Sequence, residues 1–430
     1  MNYKIEKISS WNNTLSSRAK VYYPENIEEL KIILSKIRKN KKKYIIKTGG
    51  CSYDSKSINP NFDTYVISMK KFNKLIKINK KKGSIYVQAG TLVCDIIKKI
   101  KQFNYSLHSV PGGEKISVGG AISANVIGKD SNSKIAAFGD TILKLVVLDS
   151  KNRILKISSK NKSFRNYIGS FGTSGIILEC EIKLKKIISN NLVLKSKILK
   201  NLNEVKKDLK LISDYKYIQI DPFFREKNFA ISFFSNYLNL NKNLYKNISL
   251  KSMILEKLFF KFSGYFINNF TWRIFYSLFF YFNKLKSETI DLHNFHYPSK
   301  YKHLIPLAFK RGINDYEILI NKNFIYNMGK IIKILKKNKL FPIYIVVKKL
   351  YKSKKKYYYQ FNRDGIAVAI SLKKDKNEKL FFEFVKREVK KNNFKINLSK
   401  TDRFFLNKIP KNQLFMSLYK QKIFNNGLSR

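Results

Sequence analysis

The stretch Pro111–Lys129, PGGEKISVGGAISANVIGK, holds five of the chain's eighteen glycines. It follows the segment Leu92–Phe103, whose spacing of apolar residues predicts a helix. Glycine lacks a Cβ, so its backbone can approach another group closely or adopt conformations that other residues avoid. The stretch therefore indicates either a series of tight turns or a backbone surface that comes close to something large and polar.

Two more glycine clusters accompany it: KTGGCSYD (47–54), directly after a predicted strand, and GSFGTSGII (169–177). In chain order, residues 47–54, 111–129 and 169–177 are called here the first, second and third glycine clusters. None of them has the G-x-G-x-x-G spacing of a Rossmann dinucleotide site or the Lys-Ser/Thr ending of a P-loop. A phosphate-rich ligand needs backbone N–H groups that no Cβ shields. Three such clusters in sequence favour a ligand site over three unrelated turns.

Size and cysteine content set broad limits. A chain of 430 residues with 44% hydrophobic content can bury a large core and suggests two or three domains. The first residues contain no apolar run, so no secretory signal is expected. Three irregularly spaced cysteines favour neither a disulfide framework nor a zinc site. We expect a reducing, cytoplasmic location, with peripheral association at the inner face of the membrane as an option.

The formal net charge of +57 suggests nucleic acid or an anionic membrane as a partner. The lysines are spread along the whole chain, however, together with many Asn and Ile residues, which is also the pattern of an AT-rich coding sequence. No zinc-finger spacing, RNA-binding aromatic motif or basic leucine-zipper region occurs. No nucleic-acid partner is predicted.

The periodicity predicts helices and short strands throughout. Asn26 and Glu29 form an N-cap pair before a helix whose apolar residues share one face. Strands follow over KYIIKTGG (43–50), which ends in glycines, and near 64–69 and 84–90, and TILKLVVLDSKNRILKIS indicates two strands joined by a turn. From about residue 190, aromatic strands alternate with helices, which indicates a second domain with a larger sheet.

The order of the glycine clusters resembles the vanillyl-alcohol-oxidase (PCMH-type) FAD-binding domain. This resemblance implies an α+β fold, with an FAD-binding domain of two subdomains over 1–188. It further implies a substrate domain over 189–395, with a large, mainly antiparallel sheet covered by helices, and a segment, 396–430, that returns to the FAD domain. Non-covalent FAD is expected, because Cys51 and Ile127 stand where relatives carry histidines.

The same resemblance assigns the cofactor contacts. In the first cluster they are Gly49, Gly50, Cys51, Ser52 and Tyr53; in the second, Pro111, Gly112, Ser117, Val118, Gly119, Gly120, Ala121, Asn125, Gly128 and Lys129; in the third, Gly172, Gly175 and Ile177.

Within this superfamily, SVGGAISANVIGKDSN, FGD and KINLSKTDRF resemble motifs of decaprenylphosphoryl-β-D-ribose oxidase-like proteins. That likeness implies oxidation of a secondary alcohol of a sugar by hydride transfer to the flavin. It assigns Lys400 to the flavin edge or the reacting hydroxyl, and Lys348 to the substrate. Ala369 stands near the position of an active-site cysteine, and Asp315 and Glu317 replace a pair of glutamines.

Tyr53 is a further candidate catalytic residue, and Tyr316 a candidate for lining the substrate pocket beside Asp315 and Glu317, although a tyrosine on a strand is more often a packed core residue. The four histidines lack metal-ligand spacing, and no metal is predicted.

The aromatic segment LFFKFSGYFINNFTWRIFYSLFFYF (258–282) is interrupted by charges and amides, and its longest run without them is shorter than the roughly 20 residues that span a bilayer. It indicates either a buried helical hairpin or a patch that lies in the membrane interface.

Three functions remain open. The first is an FAD-dependent oxidoreductase acting on a sugar or a polyprenyl-phosphate sugar, with a quinone or oxygen as electron acceptor. The second is a soluble aldonolactone or alditol oxidase of the same fold. The third is a basic membrane-binding protein that has lost its flavin.

Overall fold

The computed structural model describes residues 3–42, 44–53, 65–130, 134–238, 263–264, 266–297, 308–309, 311–340, 342–355, 357, 361 and 363–401. Over these residues the chain forms three sheets with helices packed against them, which confirms the predicted α+β class and the predicted large antiparallel sheet. Most of the C-terminal segment predicted to return to the FAD domain, from residue 402 on, lies outside the described residues.

The first sheet is small and has the order β1-β2-β4-β3. Its strands are β1 (Lys4–Ser9), β2 (Ser16–Tyr22), β3 (Tyr44–Lys47) and β4 (Tyr65–Ser68). Helix α1 (Ile27–Lys39) is capped as predicted, since the Asn26 side chain accepts a hydrogen bond of 2.9 Å from the Glu29 N–H. Leu30, Leu34 and Ile37 lie on the buried face of this helix. Strand β3 ends directly before the first glycine cluster.

The second sheet has the order β5-β6-β10-β8-β9, and β7 also pairs with β10. The strands are β5 (Leu75–Asn79), β6 (Ser84–Gln88), β7 (Tyr105–Leu107), β8 (Ile142–Leu148), β9 (Ile154–Ser158) and β10 (Ile176–Lys186). Helices α2 (Val93–Ile100) and α3 (Val118–Ala124) cover it, and both contribute to one core cluster with β6, β8 and β10. This packing fixes the long glycine stretch, which contains α3, against the sheet.

The third sheet has eight strands in the order β14-β11-β13-β12-β16-β17-β15-β18, and its pairings are antiparallel. The strands are β11 (Asn191–Leu199), β12 (Tyr215–Ile220), β13 (Ala230–Leu238), β14 (Ser287–Asp291), β15 (Ile313–Ile320), β16 (Pro342–Leu350), β17 (Gly365–Lys373) and β18 (Lys395–Ile396). The helices of this region are α4 (Leu202–Asp208), α5 (Asn269–Asn283), α6 (Leu292–His296), α7 (Phe324–Lys337) and α8 (Glu378–Lys390).

The two faces of strand β15 have different environments. Side chains alternate across a strand, so Ile318 and Ile320 enter one core with α4, α7 and α8, whereas Asp315 and Glu317 point to the other face. Glu317 pairs with Ala369 of β17, in the register that also pairs Asp315 with Ser371. The polar face of this sheet is the one that carries the candidate site.

Three details differ from the sequence-based predictions. Helix α2 is shorter than predicted, because its last residues form a 3₁₀ turn that ends at Asn104 in the left-handed conformation. The N-terminal hairpin β1–β2 was not predicted. The aromatic segment provides helix α5, one face of which packs on the sheet while the other is exposed. Residues 258–262 and 265 of that segment lie outside the described residues.

Within the described residues, the structure contains no helix that is both long enough and apolar enough to span a bilayer.

Candidate active site

The first two glycine clusters are in direct backbone contact. A Cβ at Gly49 would lie 1.8 Å from the carbonyl oxygen of Lys115, so only glycine permits this approach. Gly50 has a φ of +68°, a left-handed conformation that suits a residue without a side chain. In the same loop the Ser52 carbonyl accepts a 2.9 Å hydrogen bond from the Trp11 N–H, which ties the cluster to the turn of the N-terminal hairpin.

The third cluster meets the second at helix α3. The N–H groups of Gly169 and Phe171 donate to the carbonyls of Ile122 and Ser123, at 3.0 Å and 2.8 Å. Gly172 has a φ of +78°, and a Cβ at this position would have no described heavy atom within 4 Å. The structure therefore brings together all three clusters, which the sequence placed far apart along the chain.

The glycines of the second cluster have different roles. Among the described residues, a Cβ at Gly120 would meet only the Ser117 hydroxyl, at 3.2 Å, beyond the helix's own backbone. By contrast, a Cβ at Gly119 would lie 3.0 Å from the Ala89 Cβ, and a Cβ at Gly128 would lie 2.8 Å from the Val110 nitrogen. Gly119 and Gly128 thus permit packing within the protein. The assignment of Gly119 and Gly128 to the cofactor stays a prediction.

The open backbone at Gly120 and Gly172 fits an extended dinucleotide such as FAD, since a side chain at either position would fill the space beside the joined loops. The other assigned positions contribute differently. Val118, Ala121 and Ile177 are buried in the core cluster beneath, so only their backbone is suited to contact a ligand. Pro111 and Asn125 are also buried, and the Asn125 side chain accepts a 2.8 Å hydrogen bond from the Gly139 N–H.

Lys400 joins the first glycine cluster to the polar face of the third sheet. Its ammonium nitrogen lies 2.9 Å from the Tyr53 hydroxyl and 3.6 Å from the Asp315 carboxylate. Asp315 also accepts hydrogen bonds from the hydroxyls of Tyr344, at 3.0 Å, and Ser371. Tyr53 in turn packs against Trp11, with ring centroids 4.9 Å apart. A loop of the FAD-type domain and a strand of the third sheet therefore share one polar cluster.

A second ion pair lies beside the first. The Lys348 ammonium is 3.1 Å from the Glu317 carboxylate and donates to the Ile127 carbonyl, at 3.4 Å, directly before Gly128. The Asn397 side chain donates to the other Glu317 oxygen at 2.6 Å. Lys348 thus connects the sheet to the second glycine cluster, as Lys400 does to the first.

The charges of this cluster balance, with two ammonium groups against two carboxylates. Burial alone would raise the pKa of Glu317, but Lys348, Lys400 and the Asn397 amide lower it below its ordinary range. Burial and the nearby Asp315 carboxylate raise the pKa of Tyr53 well above its ordinary value. At neutral pH Glu317 is therefore an ionised acceptor, and the Tyr53 phenol keeps its proton and can donate a hydrogen bond.

Two assigned residues lie elsewhere than predicted. The prediction that Tyr316 lines the substrate pocket is wrong: its ring is buried in the helix-covered core against Phe381, and its hydroxyl bonds to Glu378. The Lys129 ammonium, assigned to the cofactor, donates to the Phe295 carbonyl at 3.1 Å and lies over the Tyr217 ring. Lys129 therefore reaches the third sheet and α6.

Cys51 is half-buried beside Gly49, and its thiol lies 3.6 Å from the Gly49 carbonyl. Burial raises the pKa of this thiol to about 11, so it is protonated and weakly nucleophilic at neutral pH.

Gly175, in the third cluster, adopts a φ of +147°, and a Cβ there would lie 2.9 Å from the Leu148 carbonyl oxygen. Gly112 is partly exposed.

Sequence reasoning missed Tyr344, Ser371 and Asn397, which orient the two carboxylates. Their placement depends on the pairing of β17 with both β15 and β16, and of β15 with β18, and no local pattern encodes that register. Among the described residues, no group of three or more histidine, cysteine or acidic side chains could hold a metal ion.

A family model described as an FAD binding domain matches residues 19–158. The matched range begins in β2, ends with β9 and includes the first two glycine clusters together with the contacts between them. This part of the chain is therefore similar to an FAD-binding domain.

Curated relatives are similar to part of the chain. L-gulonolactone oxidase from Bos taurus is 24% identical over 179 residues, 41% of this chain and 40% of that protein. D-arabinono-1,4-lactone oxidase from Candida glabrata is 27% identical over 182 residues, 41% of this chain and 34% of its own. L-galactono-1,4-lactone dehydrogenase from Arabidopsis thaliana is 20% identical, over 50% of this chain and 35% of its own. The matched segments thus span less than half the length of each relative.

Proposed function

We propose that this chain, with FAD bound at its three joined glycine clusters, is an oxidoreductase that oxidises a secondary alcohol of a neutral sugar or sugar lactone. The observation that carries the proposal is the Lys400 contact, which links Tyr53 of the first glycine cluster to Asp315 of the third sheet. Reacting groups of a cofactor and a substrate must be held close together and in fixed orientation. The linked polar cluster supports the proposal, because it joins the first glycine cluster to the third sheet.

The bound FAD would supply two-electron oxidation, taking a hydride from the carbon that bears the substrate hydroxyl, while the hydroxyl proton would pass to a base or to water as the C=O bond forms. Gly120 and Gly172 provide the open backbone beside which the cofactor would be held. Lys400 and Lys348 place positive charge next to both glycine loops, where negative charge would accumulate as electrons arrive.

The remaining side chains suit a polyol. Glu317 and Asp315 offer carboxylate oxygens to hydroxyl donors, whereas Tyr53 and Lys400 donate to hydroxyl or carbonyl oxygens. Because the pKa of Glu317 is lowered, its carboxylate holds a hydroxyl by accepting a hydrogen bond but retains a proton only weakly. Glu317 therefore orients the substrate hydroxyl and does not serve as the final acceptor of the substrate proton.

The charge balance favours a neutral substrate. Lys348 and Lys400 are each within 4 Å of a carboxylate, so a phosphate entering the cluster would meet two negative groups together with the two positive ones. The lactone relatives agree with this preference, since their names refer to uncharged sugar lactones. We therefore favour the aldonolactone-type reading over a phosphorylated sugar.

A second candidate is a sugar carried on a lipid phosphate. The exposed aromatic face of α5 supports it, because that surface suits contact with the membrane in which such a lipid resides. In this case the phosphate would have to remain outside the balanced cluster.

The test begins with the purified protein, whose oxidised flavin should absorb near 450 nm, on the order expected of any flavoprotein. Under anaerobic conditions, a panel of aldonolactones, alditols, sugar phosphates and polyprenyl-phosphate sugars is added, and the loss of that absorbance is followed. Neutral lactones or polyols should reduce the flavin. Reduction by phosphorylated sugars alone would contradict the neutral-substrate proposal, and a protein that neither contains nor takes up FAD would support the flavin-free alternative.

An internal control comes from changing the charge of the cluster. Asp315→Asn combined with Glu317→Gln leaves both lysines without their carboxylate partners. The ratio of rates for a sugar phosphate and its neutral counterpart should then rise at least about tenfold, the effect of one favourable charge interaction of modest strength. An unchanged ratio would show that the cluster does not select by charge.

A further inference from the structure

Helix α5 exposes a continuous apolar stripe. Residues spaced by three and four positions on it share one face, and these include large side chains that are half or more exposed, such as Phe270 at 71% and Phe282 at 72%. The stripe, called here the α5 stripe, consists of Phe270, Ile274, Phe275, Leu278, Tyr281 and Phe282. Isolated exposed apolar residues are common on proteins, but a contiguous group of this kind marks a contact surface.

The opposite face of α5 is firmly attached to the third sheet. The Tyr276 hydroxyl and the Trp272 indole N–H both donate to the Ile343 carbonyl, at 2.9 Å and 3.2 Å, and Phe280 is buried in the core. Gln219 of β12 donates to the same Tyr276 hydroxyl at 2.9 Å. Because these contacts fix the rotation of the helix, the stripe is held outward by the fold.

The charges around the stripe are positive. The sequence of α5 contains no acidic residue, Arg273 is exposed within it, and Lys284 follows directly. Lys286 comes next and is paired with Glu288. The whole chain carries a formal net charge of +57. Two copies of so basic a protein repel each other, whereas an anionic surface attracts it.

We propose that the α5 stripe docks on an anionic lipid surface, with the helix lying in the plane of the interface. A helix of 15 residues is about 22 Å long at 1.5 Å per residue, too short to cross a bilayer but long enough to seat six apolar side chains among the headgroups. Aromatic side chains favour that depth, and Arg273 and Lys284 can reach lipid phosphates beside them. The inference does not depend on the proposed oxidoreductase activity.

The experiment measures binding of the full chain to phosphatidylcholine vesicles with and without phosphatidylglycerol, by co-sedimentation. The wild-type protein should bind the anionic vesicles. Phe270→Ser with Phe282→Ser should lower the partition constant at least about tenfold, because two exposed aromatic side chains are lost from the interface. A matched control pair, Ile32→Ser with Leu380→Ser, removes exposed apolar side chains from α1 and α8 and should leave binding unchanged.

Three results would overturn the proposal. They are a wild-type protein that does not bind anionic vesicles, equal loss of binding in both variant pairs, and a dimer in solution that dissociates only when the α5 stripe is changed. Light scattering provides the last measurement. Thermal unfolding shows whether the variants are folded, and Leu278→Ser, a single change at the exposed centre of the stripe, should weaken vesicle binding if the double variant is unstable.

Discussion

Replacing Lys348 by methionine should destabilise the protein strongly, because it leaves Glu317 buried without its closest cation. The two charged groups are 3.1 Å apart, and their side chains are only 15% and 5% exposed. At an effective dielectric constant of 20, charges at that separation attract by about 5 kcal/mol, although desolvation offsets much of this in the intact pair. Loss of one partner removes the attraction and keeps the desolvation cost, so Lys348→Met should lower the free energy of unfolding by about 3–5 kcal/mol.

The assay is urea unfolding at pH 7, followed by the fluorescence of Trp11 and Trp272. The double variant Lys348→Met with Glu317→Gln should recover most of the loss, because no uncompensated charge remains. Lys286→Met provides a matched control: it breaks the more exposed Lys286–Glu288 pair and should change the free energy of unfolding by less than about 1 kcal/mol.

The pH dependence of this effect follows from the lowered pKa of Glu317. A carboxyl whose pKa is lower in the folded state adds stability above its unfolded value, ordinarily 4.5, and loses that contribution as pH falls through the folded value. The difference between wild type and Lys348→Met should therefore be full at neutral pH and shrink in acid. A Lys348→Met protein within about 0.5 kcal/mol of wild type at pH 7 would refute the reasoning, since surface substitutions usually stay within that range.

Three further predictions concern the cofactor. Lys400→Ala should fold and bind FAD, yet its flavin should be reduced at least about 100-fold more slowly in anaerobic rapid mixing, because one preorganised positive charge is lost. Lys400→Arg should recover part of the rate. Reduction of Lys400→Ala at the wild-type rate would mean that Lys400 is an ordinary surface charge. Acid precipitation should release FAD intact into the supernatant, because the Cys51 thiol is protonated at neutral pH, and flavin retained in the pellet would disprove non-covalent binding. Gly120→Val should lower FAD affinity at least about tenfold with little change in melting temperature, whereas Gly119→Val should lower the melting temperature by crowding Ala89. FAD titration measures the first effect and thermal unfolding the second. Loss of stability in Gly120→Val together with loss of FAD affinity alone in Gly119→Val would contradict these roles.

Local patterns predicted much of the fold. The Asn26 cap and the apolar face of α1 depend on neighbours three and four residues away, and the β8–β9 turn is formed by residues adjacent in sequence. The hairpin β1–β2 was missed because KIEKIS is mostly charged and polar, and it forms a strand by pairing with β2.

Only part of the candidate site could be predicted from the sequence. The glycine clusters and Lys400 were found by resemblance, but Tyr344 and Ser371 meet Asp315 only through the register of three strands. The error at Tyr316 was avoidable: alternation along a strand places it opposite Asp315 and Glu317, and therefore in the core when those two face the site.

We propose that sugar bound at the Lys400–Asp315 and Lys348–Glu317 pairs reduces FAD held by the glycine clusters. The most direct measurement is the anaerobic rate of flavin reduction as a function of substrate concentration in Glu317→Gln, with Glu288→Gln as an exposed control in the same sheet. We expect unchanged FAD content in both variants, and in Glu317→Gln a limiting rate or substrate affinity at least about tenfold lower, because an orienting charge is lost. Flavin reduction by Glu317→Gln at the wild-type rate at every substrate concentration would contradict this proposal.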